Sequence, residues 1–185
     1  MGKKVKVIFK TKSILHFNKD AQKKLKLTAL VPDIRKSLVE LLNLPISELK
    51  GHQAFKTDQK KLAFWAADCA EHVLPYFEEK YPEDDRPRKA IEECRTWATT
   101  GVFKMAVIRK ASLDSHAAAR EVGEDNAARY AARAAGHAVA TAHVPSHSIG
   151  AAAYAIKAAA AHSNNLDDGI VKERNWQLQR LRKYA

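Results

Sequence analysis

The sequence predicts an all-α protein, a layered array or bundle of antiparallel helical hairpins. Seven glycines and six prolines among 185 residues leave little room for long loops. After residue 57, apolar residues recur at helical spacing in almost every segment. Alanine accounts for 21 of the 51 residues from 111 to 161. Because alanine faces let helix axes approach closely, we expect alanine-rich close packing.

The N-terminal third differs from the rest of the chain in charge. Residues 1–56 contain 13 lysines and arginines against 4 acidic residues, whereas residues 57–185 contain 19 against 17. We therefore expect a small basic appendage at 1–56 and an alanine-rich helical domain at 57–185. In the appendage, Val5 and Val7 alternate with lysines, which favours one short strand. Residues 32–43 carry a helical apolar stripe.

Glycine and proline divide the domain into helices. Pro75 interrupts the first helix, Gly101 and Gly123 end the next two, and Pro145 bends or restarts the alanine-rich fourth. A last helix runs to Leu181. These signals predict about six helices joined by short loops, and short loops make sequential neighbours antiparallel.

Polar residues beside the helix starts predict N-caps. Asp84 or Asp85 would cap the second helix, and Ser146 would cap the segment after Pro145. Asp167 or Asp168 would cap the last helix.

Polar pairs interrupt the alanine-rich segments at a spacing of four, which places each pair on one helix face. A buried arginine needs a partner, so a carboxylate from this set would suit one of its arginines. Three interpretations stay open: the residues hold helices together, they converge on a ligand-binding or catalytic pocket, or they are independent surface positions. The pairs are Asp68/His72, His116/Arg120 and Arg133/His137, with Thr141 extending the last, and Asp68 is the carboxylate that we pair with Arg120 or Arg133.

His143 and His147 have a spacing that suits two imidazoles on one metal ion. Pro145 lies between them, however, and no carboxylate accompanies them as in zinc proteases. Cys69 and His72 would be further ligands from another helix. We keep His143 and His147 as weak candidates and predict no metal site.

The segment "PEDDRPR" concentrates charge in seven residues. Its charges either cap the following helix and form local ion pairs, or they belong to an exposed recognition loop that contacts a partner. The candidate loop residues are Asp84, Asp85, Arg86 and Arg88.

The remaining motifs of site chemistry are missing. The chain has no phosphate-binding loop, dinucleotide fingerprint or nucleophile elbow, so we expect no cofactor and a binding function in preference to catalysis. Two cysteines, Cys69 and Cys94, are too few for a disulfide framework and are expected as buried free thiols.

Lysines of the appendage offer weak, non-specific contact with nucleic acid, because arginines and interleaved aromatics are missing there. No apolar stretch is long enough for a membrane span and the start lacks a signal peptide, so we expect a cytoplasmic protein. The lysines concerned are Lys3, Lys4, Lys6, Lys10, Lys12, Lys19, Lys23, Lys24 and Lys26.

Several unusual sequence motifs that occur in a fixed order give the chain a family resemblance. The motifs are "FWAADCAEHVLPYFEEKYPEDDRPRKAIEECRTWATTG", "HAAARE", "ARAAGHAVATAHVPSH" and "AAAYAIKAA". Over roughly residues 57–162 the chain resembles a family described as immunity proteins of bacterial polymorphic toxin systems. The matching positions are Trp65, Asp68, Cys69, Pro75, Asp85, Arg86, Pro87, Arg88, Ala90, Trp97, Arg120, Arg133, Gly136, His137, Thr141, His143 and His147.

The resemblance implies an all-helical, cytoplasmic protein that protects a cell by binding a cognate toxin, and it carries over no catalytic residue. A protein-binding module is therefore our first hypothesis. The alternatives are an enzyme or small-molecule binder that uses the Asp68, His72, Arg120, Arg133 and His137 constellation, or nucleic-acid binding through the lysines.

Overall fold

The computed structural model describes Ile34, Lys36 and residues 59–184 of the protein. In this part of the chain all regular structure is helical, which confirms the predicted fold class. The helices are α1 (Gln59–Val73), α2 (Pro75–Glu78), α3 (Arg86–Thr100), α4 (Met105–Glu121), α5 (Ala127–Ala140), α6 (His147–His162) and α7 (Leu166–Leu181). The basic appendage with its strand and lysines, and the predicted boundary at residue 56, lie outside the described residues, Ile34 and Lys36 excepted.

The predicted breaks fall where the sequence places them. α1 ends before Pro75, which lies in the first turn of the four-residue helix α2. Gly101 follows α3 at φ 73°, in the left-handed region, and its N–H donates to Trp97 O at 2.8 Å. α5 ends before Pro145, and α6 begins after it.

The predicted caps need correction at the starts of α6 and α7. Asn165, and neither Asp167 nor Asp168, caps α7: its extended backbone lets its side-chain oxygen accept from the N–H groups of both aspartates. The aspartates lie in the first turn, where they favour the helix dipole. Ser146 occupies the position before α6 in helical conformation, and its side chain makes no capping bond.

At the start of α3, only one of the two candidate aspartates bonds to the helix. Asp85 is the residue before α3, yet its side chain accepts no capping bond. Asp84 Oδ1 accepts from Arg86 N at 3.2 Å.

Helix α5 lies at the centre of the packed domain. Eleven of its 14 residues are buried, and it packs against α6, α4, α3 and α1. α6 also packs against α1 and α7. Larger apolar side chains fill the space at α1 and α2, where Leu62, Trp65, Leu74 and Phe77 are each at most 1% exposed. Alanine therefore forms the middle of the core, and bulky residues close one side of it.

The α7 backbone approaches the end of α6 closely at Gly169. A Cβ atom at Gly169 would lie 2.8 Å from Ala159 O, 2.9 Å from Ser163 Cβ and 3.0 Å from Ala160 Cα. Two of these atoms are backbone atoms, which cannot swing aside. A side chain here would force the two helices apart.

We expect Gly169→Ala to lower the free energy of unfolding by about 2 kcal/mol, because overpacking outweighs the better helix propensity of alanine. Urea unfolding of the full chain measures the change. Asn175→Ala, an exposed position on the same helix, is the control and should unfold like the wild type. Equal stability of the two variants would contradict the close approach.

Candidate functional site

Asp68 on α1 is the centre of a buried ion-pair cluster. The residue is 3% exposed. Its Oδ1 accepts from Arg95 of α3 at 2.7 Å, and its Oδ2 accepts from Arg180 of α7 and from the Tyr184 hydroxyl. Burial opposes ionisation, but the hydrogen bonds from Arg180, Tyr184 and Arg95 outweigh it and lower the pKa of Asp68 below its ordinary value. One carboxylate thus joins α1, α3 and the C-terminal end of the described chain.

The pairing of Asp68 with Arg120 or Arg133 is therefore wrong. The face of α1 that carries Asp68 is turned towards α3 and α7. Arg95 of α3 and Arg180 of α7 therefore bind the carboxylate. Helical spacing identified the face correctly but could not identify the helix opposite it.

His72, four residues after Asp68, joins α1 to α7. Its Nδ1 lies 2.7 Å from Glu173 Oε2, and its ring stacks on Trp176 with 3.9 Å between centroids. Glu173 is 2% exposed, and its Oε1 accepts from Gln177 Nε2 at 2.8 Å. The sequence suggested neither Glu173 nor Gln177, although Glu173, Gln177, Arg180 and Tyr184 follow one another at helical spacing.

Four histidines form a continuous row across α4, α5 and the start of α6. Ring centroids are 5.1 Å apart for His116 and His137, 5.3 Å for His137 and His147, and 5.3 Å for His147 and His143. The Nδ1 atoms of His137 and His147 are 3.1 Å apart, a hydrogen-bond distance. His137 also stacks on Tyr154 at 5.2 Å. We call His116, His137, His147 and His143 the histidine row.

Two glycines make room for this row. A Cβ at Gly136 would lie 2.7 Å from His116 Cε1, and a Cβ at Gly150 would lie 2.7 Å from His137 Nδ1. Each imidazole therefore lies against a helix backbone where a side chain is missing. Gly136 does permit a close approach, as the sequence suggested, and the group that approaches is a histidine ring.

Burial keeps the histidine row neutral. Desolvation is the main cause that lowers the pKa of His116 to about 4 and that of His137 to about 3, with smaller contributions from neighbouring cations such as Arg133. The pKa values of His143 and His147 are lowered as well, mainly by burial. His116 Nδ1 is buried and makes no hydrogen bond among the described residues.

The predicted polar cluster therefore separates into two groups. Asp68 and His72 belong to the contacts of α1 with α3 and α7, whereas His116, Arg133 and His137 lie together, and Arg120 is close enough to act on the pKa of His116. Thr141 is fully buried and donates to His137 O at 3.3 Å. The catalytic alternative required all of these side chains in one cleft, and the described residues do not form it.

Cationic and aromatic side chains continue the histidine row along α5 and α6. Lys157 Nζ lies 4.2 Å from the centroid of Tyr130 and 5.7 Å from that of Tyr154. Arg133 interacts electrostatically with Tyr154, Arg129 and Arg120. We call Arg120, Arg129, Arg133, Tyr154 and Lys157 the basic strip.

The sequence prediction included Arg120 and Arg133 but missed Arg129, Tyr154 and Lys157. Tyr154 and Lys157 follow His147 by seven and ten positions, which is one face of a helix. That spacing was readable in the sequence.

Internal ion pairs hold the candidate recognition loop. Arg86 binds Asp84 at 2.6 Å and also binds Glu121. Arg88 binds Glu78 at 2.6 Å, and Lys89 binds Asp85 at 2.8 Å. Contact with a partner through this loop stays a prediction.

Neither cysteine is poised for chemistry. Both are buried, and burial raises the pKa of Cys69 well above its ordinary value and that of Cys94 to about 12. Cys94 Sγ donates to Ala138 O at 3.1 Å. The expectation of buried free thiols is confirmed.

His143 and His147 lie before and after Pro145, with 5.3 Å between their ring centroids. α5 ends at Ala140 and α6 begins at His147, so the two histidines do not belong to one helix. In the part of the chain that the structure describes, no three histidine, cysteine or acidic side chains are arranged to hold a metal ion. Nor does any described helix combine the length and apolarity that a bilayer crossing needs.

The fold and the site define a class: an all-helical domain with a row of packed histidines between its helices. The chain belongs to the family described as "Imm-5 like putative immunity protein", whose sequence profile matches residues 53–184. This match confirms the resemblance seen in the sequence. No curated protein and no solved structure matches the chain.

Asp68→Asn should lower the free energy of unfolding at pH 7 by about 2 kcal/mol, because a neutral amide loses the charge-assisted hydrogen bonds that Arg95 and Arg180 donate to the buried carboxylate. Urea unfolding measures the loss. Asp114→Asn is the matched control: Asp114 pairs with Lys110 on the surface, where an ion pair contributes about 1 kcal/mol or less. Equal losses would show that Asp68 does not hold the helices together.

Stability should fall as the pH drops from about 6.5 towards 4. In this window an unfolded histidine binds a proton that native His116 and His137 exclude, because their native pKa values are about 4 and about 3. Each contributes a slope of up to about 1.4 kcal/mol per pH unit. Unfolding free energies across this range should show a shallower slope for a His116→Asn/His137→Gln variant, and an unchanged slope would refute the prediction.

Proposed function

We propose that this protein is an immunity protein that binds a toxin in the cytoplasm and neutralises it. Membership of the family implies a protein partner. The observation that carries the proposal is an exposed apolar surface, the kind of feature that marks a protein-binding site.

This surface lies on the connection between α3 and α4 and on the outer side of α4. Val102 is 61% exposed, Phe103 44%, Met105 50%, Val107 39% and Leu113 51%. We call these five residues the apolar patch. Five large apolar residues within twelve positions of one chain segment are more than the isolated exposed residues that a monomer ordinarily shows.

The composition of the apolar patch and its border suits a protein interface. Exposed cations border it at Lys104, Arg109 and Lys110. Phenylalanine, methionine and arginine are enriched in protein interfaces. Such interfaces have an apolar centre and a polar rim. The patch therefore has the anatomy of a hot-spot region.

The part of the patch on α4 belongs to a helix that the domain holds in place. The opposite face of α4 is packed into the domain by Ile108, Ser115, Ala118 and Ala119. Ser115 Oγ donates to Ala132 O of α5 at 2.8 Å. A rigid surface loses little conformational entropy on binding, which favours tight association.

Phe103→Asp should abolish protection of cells that co-express a candidate toxin chosen from the genes that neighbour this one, and should weaken binding of the purified proteins at least about a hundredfold. A charge at the centre of the interface would be desolvated without a partner. Isothermal titration calorimetry and growth of the co-expressing cells measure the two effects.

Val171→Asp is the control, because Val171 is 45% exposed on α7, away from the patch. It should bind and protect like the wild type. Failure of the wild type to bind this toxin would reject the proposed function. Full protection by Phe103→Asp would reject the patch as the interface.

A further inference from the structure

The basic strip carries positive charge that the described chain does not neutralise. Arg133 and Lys157 are both half-buried. Among residues 59–184 neither of them makes an ion pair, whereas Arg129 reaches Asp125 at 3.4 Å. The rest of the strip and the neutral histidine row provide no carboxylate.

Partial burial of these two cations destabilises the free protein. Desolvation lowers the pKa of Arg133 and of Lys157. The native environment thus disfavours the charged form of each side chain. The Tyr130 and Tyr154 rings partly offset this for Lys157, and the Asp125 carboxylate acts favourably on both cations without forming an ion pair with either. Half-buried charges that make no ion pair are typical of sites that receive a ligand of opposite charge.

We propose that the basic strip binds the carboxylates of an acidic segment of the protein partner, with Arg133 and Lys157 as the anchoring cations beside Tyr154. That the partner is a toxin rests on the function proposed above. The strip itself is defined by its own geometry.

The surroundings favour a short acidic peptide segment over the phosphate chain of a nucleic acid. Asp125 is exposed at the turn between α4 and α5. Its carboxylate lies near the strip, since it acts on the pKa of Arg133, Lys157 and Tyr130. A phosphate chain that ran along the whole strip would meet this carboxylate, whereas a short segment with two or three carboxylates can bind beside it.

One end of the strip limits the ligand as well. There the histidine row begins, and its neutral rings offer hydrogen bonds without charge. The positive charge is therefore confined to a length that suits two or three carboxylates. Guanidinium and ammonium groups bind carboxylates through charge-assisted hydrogen bonds, which are strongest where water is excluded.

The test uses the full chain and an acetylated tetraglutamate peptide as the probe. Arginine side-chain resonances in ¹H–¹⁵N spectra report binding, with that of Arg133 assigned from the Arg133→Gln variant. We expect a saturable shift of the Arg133 resonance and an affinity at least about tenfold lower in the Arg133→Gln/Lys157→Gln variant.

Arg182→Gln/Lys183→Gln is the charge-matched control, since both residues are exposed beyond the end of α7. It should bind the peptide like the wild type. Equal weakening in both double variants would reduce the interaction to general charge attraction and overturn the proposal. Stronger binding of tetrathymidylate than of tetraglutamate would also overturn it, in favour of nucleic acid.

A measurement of stability distinguishes a binding role of the two cations from a structural one. Arg133→Gln/Lys157→Gln should unfold at a urea concentration equal to or higher than the wild type, because it removes desolvated charge. A clear loss of stability would assign the two cations to the fold and reject the site. None of these measurements needs the toxin, so failure of the strip and failure of the immunity function are distinguishable.

Discussion

Alanine and glycine set the distance between the α5 and α6 backbones, and most of the other contacts depend on that distance. Helices that meet through methyl groups approach closely, but such surfaces are smooth and bury little apolar area for each residue. The register of these helices must therefore be set by other contacts. Polar contacts around the alanine core set it: Asp68 joins α1 to α3 and α7, and Glu173 joins α7 to α1.

The same close packing explains why histidines lie inside an alanine-rich domain. Gly136 and Gly150 open two spaces between helices, and the rings of His116 and His137 fill them. A planar ring with one donor and one acceptor fits such a space while it stays uncharged. The row therefore contributes packing and hydrogen bonding, and the charge of this surface comes from the arginines and from Lys157.

Local features of the fold were predictable and non-local pairings were not. Gly101 and Pro145 mark helix ends because their backbone preferences act within one or two residues. The cap of α7 was misplaced because Asn165 and the aspartates after it all have capping side chains, and only the backbone angles decide between them. The partners of Asp68 come from α3 and α7, which a four-residue spacing on one helix cannot reveal. Tyr154 and Lys157 of the basic strip had a readable spacing, but their proximity to Arg133 depends on how α5 and α6 pair.

The alanine core also determines how the protein responds to temperature. The heat capacity change of unfolding rises with the apolar area that becomes exposed, at roughly 12–15 cal/mol/K per residue in ordinary globular proteins. A core in which α5 and α6 bury mostly methyl groups exposes less apolar area than one built from leucine and phenylalanine. We therefore expect a heat capacity change at the lower end of this range, and a curve of unfolding free energy against temperature that is flatter than for a leucine-rich core.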